Sequence, residues 1–216
     1  MLMRRLCAVL APLVLMGVEC APENADSPQK AAEFYGLVDG QTLTYDVTST
    51  TGGSPTTSTH SFKASQSFAD KVAYQREERN QANAIVETVF FESTIEAMRL
   101  LRVGDCLPNC TDYDNPPRIL ERQVKANTNY SSESSTTDVV NGQRTPGKKE
   151  RHEITVGDEN NVVTAAGTFK AFKILWSIFP EGGQRIDREL YFAPNKGFVQ
   201  FTVGTNTYKL KSGVTP

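Results

Sequence analysis

Histidine and cysteine are scarce in this chain, whose 216 residues include two histidines and four cysteines. Two histidines leave few groups able to move a proton near neutral pH, so acid-base chemistry has little to work with. Four cysteines are too few for a disulfide-dense mini-scaffold, and a chain of this length builds a core without one. Neither sign of charge dominates, with 23 basic against 25 acidic side chains. Nothing here attracts a phosphate backbone, which excludes nucleic acid as a partner. Past the extreme N-terminus no apolar run is long enough to cross a bilayer as a helix. Both glycine-rich phosphate loops are absent. The segment Gly52, Gly53, Ser54, Pro55, Thr56 lacks the second glycine of a nucleophile elbow and reads as a turn. No cofactor and no metal are expected.

What is present begins with Arg4 and Arg5, followed by a charge-free apolar stretch over 6–18. A basic head before a short greasy core is the pattern of a secretory signal peptide, here 1–19, and the core falls short of the roughly 20 residues a spanning helix needs. Cys20 follows directly, then a polar tether over 20–32. The arrangement resembles a bacterial lipoprotein, which implies Cys20 as the lipid attachment site and a membrane held through that N-terminal lipid. Gly17 and Glu19 stand where such signals usually carry leucine and a small residue. The alternative is cleavage after Cys20 with no lipid. Either route implies an exported bacterial protein, periplasmic or anchored at the outer membrane.

From 41 to 49 apolar and polar residues alternate, with Leu43, Tyr45 and Val47 on one face, the period of a strand with one wet side. Further strands are expected at 57–65, 71–78, 84–92, 95–103, 118–125, 151–156, 161–165, 169–179, 185–192, 198–203 and 207–211. Gly, Asn and Asp turns join them. The loop-rich stretch 104–117 separates two groups of strands, and the Ser, Thr and Asn-rich segment 126–149 reads as an exposed excursion. Helical periodicity is confined to 28–35. These patterns predict one mainly-β domain over 33–212, a single curved antiparallel sheet of about ten to eleven strands forming a half-barrel or open barrel. Strand 169–179 is apolar on both faces, so it should be central and covered on both sides.

Three segments together resemble a broad group of exported bacterial proteins of unknown function, many of them lipoproteins. They are Phe34-Tyr35-Gly36-Leu37-Val38-Asp39-Gly40 with Leu43-Thr44-Tyr45, then Val163 to Phe169, then Tyr191-Phe192-Ala193-Pro194-Asn195-Lys196-Gly197-Phe198-Val199. The group is similar at fold level to the LolA-like half-barrel lipoprotein carriers, whose curved sheet encloses acyl chains. The plainer reading of the three segments is that they are turn and core signatures.

Cys106 and Cys110 flank Leu107-Pro108-Asn109. In an oxidising compartment they should form a small-loop disulfide. Thr111 stands where haem attachment needs histidine, and zinc would lack its remaining ligands. His60 and His152 lie among polar residues and read as solvated. Asp112, Asp114 and Asn115 lack the glycine and distal glutamate of a calcium loop. The candidate apolar ligand face is Phe172, Ile174, Trp176, Leu190 and Phe192, with closed core as its bland reading. The expected function is a non-enzymatic cell-envelope protein that binds a lipid, another apolar ligand or an envelope protein partner. The alternative is a structural or assembly factor with no ligand cavity. Intact mass of the membrane fraction separates the two N-terminal routes. A diacylglyceryl increment on a chain starting at Cys20 marks a lipoprotein, and a bare start at Ala21 marks a released protein.

Overall fold

The structure is a computed structural model that describes residues 27–213. The signal peptide 1–19, Cys20 and most of the proposed tether lie outside the described residues. The first described element is α1 (Pro28–Tyr35). Ser27 caps it by accepting a hydrogen bond from the Lys30 N–H at 3.2 Å, and Gly36 ends it in the left-handed conformation. Its last turns are not tether: Ala31, Ala32 and Tyr35 are buried. The domain therefore starts several residues before the predicted boundary at 33.

Thirteen strands follow: β1 (Thr42–Ser49), β2 (Thr56–Ser65), β3 (Ala73–Arg79), β4 (Ile85–Ser93), β5 (Ala97–Val103), β6 (Asn109–Tyr113) and β7 (Arg118–Glu121), then β8 (Thr128–Val140), β9 (Gln143–Thr164), β10 (Gly167–Pro180), β11 (Ile186–Ala193), β12 (Gly197–Val203) and β13 (Asn206–Ser212). All pair antiparallel in one sheet. β4 also pairs with β5, so the sheet closes into a ring of twelve strands with β7 outside it on β5. The antiparallel β class is as expected, but the half-barrel is a closed barrel. Most neighbours in the ring are also neighbours along the chain, and closure comes from β1 pairing with β13, which joins Tyr45 to Leu210 and Val47 to Tyr208, pairings that no local pattern announces.

Two strands were hidden by their composition. β6 falls inside the loop-rich stretch, and β8 occupies the segment expected to be an exposed excursion. The ladder uses backbone groups and is indifferent to side-chain polarity, while threonine suits the pleated surface. Along β8, Ser134 and Thr136 are buried and satisfied by the Asn115 and Lys148 carbonyls at 2.6 and 3.1 Å. Only the hairpin end around 141–149 is largely exposed. The strands expected at 151–156 and 161–165 are one strand, β9. Its Gly157-Asp158 step is absorbed as an irregularity against β10, where Val156 pairs with Ile174 and Glu159 with Phe172.

The inward positions carry the core, including Leu43, Tyr45, Phe62, Phe91, Ile174 and Leu210. Outward positions such as Thr57, Thr59, Lys63, Glu77, Lys209 and Lys211 are polar, unlike the apolar outer band of a lipid-spanning barrel. α1 packs against β4 and β5 and closes one end of the barrel. There, two of the segments singled out in the sequence meet. Asn195 N–H donates to the Phe34 carbonyl at 2.9 Å, and the Tyr45 hydroxyl donates to the Phe198 carbonyl at 2.9 Å. Phe34 packs on Phe192 at 5.5 Å between ring centroids. These motifs are the closed floor of the barrel.

The floor depends on a backbone crossing between Gly36 and Gly197. A Cβ at Gly36 would stand 2.5 Å from the Gly197 Cα, and Gly36 has φ of 75°. Gly40 has the same φ of 75° with nothing within 4 Å of a built Cβ. Gly40→Ala should cost the left-handed penalty alone, about 1–2 kcal/mol. Gly36→Ala adds the collision and should lower the thermal unfolding midpoint clearly further; equal midpoints for the two variants would show that the crossing does not constrain the floor.

Candidate functional site

Twelve strands make a ring that its side chains do not fill. Above the floor lies a cavity of about 290 Å³, at the small end of the range for small-molecule sites, about 300–1,000 Å³. Its wall is mostly apolar, with Val89, Phe91, Leu100, Ile119, Leu190 and Phe201 prominent. Val86 and Val203 also line it, and they are 55% and 41% exposed, so the cavity opens at the end of the barrel away from α1. Ile85 and Ile186, at the starts of β4 and β11, add two more exposed apolar side chains at that end.

The structure divides the candidate ligand face. Trp176 and Leu190 line the cavity. Ile174 and Phe192 are fully buried core, and Phe172 is half-buried against that core. Period two placed the five together correctly along the ladder, where Phe172 pairs with Phe192 and Ile174 with Leu190. It did not show that the floor covers the Phe192 end.

Four charged residues also line the cavity: Arg76, Glu78, Glu87 and Arg188. Arg76 and Glu87 form an ion pair. Glu78 accepts a hydrogen bond from Ser58 Oγ at 3.0 Å and faces His60 Nε2 at 3.5 Å. Arg188 pairs with Trp176 across the β10–β11 ladder, its guanidinium 4.9 Å from the ring centroid. In sequence, Arg188 shares a strand face with Leu190 and Phe192, so the signal for it is a charged residue at an apolar parity.

Both histidines are buried, at 1% and 0% exposure, which corrects the solvated reading. His60 packs against Tyr45 and Phe201, with ring centroids 4.6 and 5.6 Å away. Burial pulls its pKa down to about 4, against the Glu78 carboxylate facing Nε2, which works the other way as an acceptor. Burial alone would raise Glu78, but His60, Arg76 and the Ser58 hydroxyl outweigh it and hold the carboxyl at about 2. Ser58 donates to Glu78 and not to His60, so the three do not form a nucleophile, base and carboxylate in series. His152 Nδ1 accepts the Trp176 indole N–H at 3.1 Å, which places its proton on Nε2, 3.3 Å from Glu150 Oε2. The Tyr113 hydroxyl donates to the same Glu150 oxygen at 3.2 Å. The His152 hydrogen bond holds Glu150 below its usual range, ahead of an opposing effect of burial. This chain orients Trp176 in the cavity wall.

The Cys106–Cys110 disulfide is formed, in the β5–β6 connection. Among the described residues its sulfurs and Asp112 are the one cluster with metal-ligand spacing, and the disulfide occupies both thiols.

No family model matches this chain, and no curated protein matches it. Two solved structures resemble it. One is a candidate lipoprotein from Parabacteroides distasonis, 13% identical, with a TM-score of 0.49 over 83% of this chain and 97% of the other. The second is a candidate exported protein with a YmcC-like fold from Bacteroides fragilis, 10% identical, with a TM-score of 0.48 over 82% of this chain and 97% of the other. Neither shows the LolA-like resemblance, and at such scores the likeness says nothing about what this chain does.

His60 makes stability depend on pH with a definite sign. Unfolded, the imidazole titrates near 6.5; folded, at about 4. Between those values the unfolded chain binds a proton that the folded one refuses, so stability falls as pH drops through the window, by at most about 1.4 kcal/mol per pH unit. Glu78, lowered from 4.5 to about 2, extends the loss to more acidic pH. Denaturant titrations of the native protein and His60→Gln across the window should show a flatter pH dependence in the variant; an unchanged slope would remove His60 as its source.

Proposed function

We propose that this is a non-enzymatic exported protein of a bacterial cell envelope that binds an apolar ligand inside its barrel. The cavity carries the reading: space lined mainly by Val, Leu, Ile and Phe side chains, reached between exposed valines, gains free energy when apolar surface displaces water from it. The charge-free run after Arg4 and Arg5 supports export, and Cys20 supports a lipid tether. Both buried histidines serve packing and hydrogen bonding, which supports binding over chemical transformation. The competing reading, an assembly factor acting through protein contacts alone, needs no internal space.

Trp176 is the single tryptophan and lines the cavity, so its fluorescence reports occupancy. An ω-bromo medium-chain alcohol should quench it saturably, through heavy-atom contact. Val103→Phe, which narrows the wall, should weaken this binding by roughly tenfold, the scale set by small size changes in an apolar site. Quenching that does not saturate, together with no lipid in an organic extract of the purified protein, would sink the reading.

A further inference from the structure

The cavity's charges are paired unevenly. Arg76 has Glu87, and Glu78 has Ser58 and His60. Arg188 forms no ion pair among the described residues, and its Nε is shielded from solvent with no hydrogen-bond partner. Glu87 and Glu150 act on it only through space. Burial pulls its pKa below the ordinary value, yet a guanidinium remains a cation at any physiological pH. The Trp176 face offsets part of the desolvation through a cation–π contact. That face cannot accept the planar N–H donors of the fork. Arg188 is partly exposed, yet its guanidinium lines a mainly apolar cavity without a counter-ion, an arrangement that a bound anion would complete.

Resting on the apolar-ligand reading above, we propose that the cavity takes a single-chain carboxylate amphiphile of the fatty-acid class, with its carboxylate on Arg188 and its chain along Val89, Phe91, Leu100 and Ile119. A carboxylate matches the guanidinium fork in shape and charge. The remaining wall offers the chain apolar contact, and the volume of about 290 Å³ suits one chain better than a two-chain lipid. Arg76 is not the head-group site, because Glu87 already occupies it.

The test compares an ω-bromo medium-chain fatty acid with the ω-bromo alcohol of equal length, both read by Trp176 quenching in the native protein. The acid should bind roughly tenfold tighter, about the value of one added charge-assisted hydrogen bond. In Arg188→Gln the preference should vanish while the alcohol still binds, and Arg188→Lys should keep part of it. Equal binding of acid and alcohol in the native protein would overturn the proposal while leaving the apolar cavity reading intact. A preference that persists in Arg188→Gln, with its circular dichroism unchanged, would also overturn it. Binding of neither ligand would remove both.

Discussion

The hydrogen-bonded seam between β1 and β13 is the constraint on which the rest of this molecule depends. An antiparallel sheet of this many strands twists and, left open, would present two long edges to other chains. Pairing Tyr45 with Leu210 and Val47 with Tyr208 removes those edges and turns one face of the sheet into an interior. The twelve-strand ring is then too wide for its own side chains to fill. α1 and the Gly36–Gly197 crossing close one end and the exposed valines leave the other accessible.

Closure also sets the electrostatics. Side chains that alternation sends inward lose water whether they are apolar or charged. Each inward polar group therefore needs a partner from the opposite wall or a neighbouring strand. Ser58 and His60 on β2 face Glu78 on β3, and Trp176, His152, Glu150 and Tyr113 form a second chain across β6, β9 and β10. Arg76 takes Glu87 from β4. Arg188 is left with an aromatic face and a cavity. A fold built only for stability would gain by placing an apolar residue there, since a hydrophobic replacement of a poorly compensated buried charge is commonly neutral or favourable.

Most strands were legible because a half-buried strand writes its two faces into alternate residues. β1, β2 and β12 follow that pattern closely. β8 was not legible, because its Ser and Thr residues serve a ladder and an interior that accept hydroxyls once carbonyls such as those of Asn115 and Lys148 are in reach. The histidines misled for the same reason. Their neighbours in sequence are polar, whereas their neighbours in space are Tyr45, Phe201, Tyr113 and Trp176. Of the proposed ligand face, Trp176 and Leu190 reach the cavity, and Ile174 and Phe192 are sealed into the core.

By itself the sequence determined the antiparallel β class, the short helix before β1, the turns, the disulfide between Cys106 and Cys110 and the signal-like N-terminus. Each of these rests on interactions between residues close along the chain, or on composition. Tertiary structure alone decided that the sheet closes, where the floor lies, which inward residues face empty space and which charge is left unpaired. Those outcomes require strands far apart in sequence to meet, and the period of a strand specifies a face without specifying what lies opposite it.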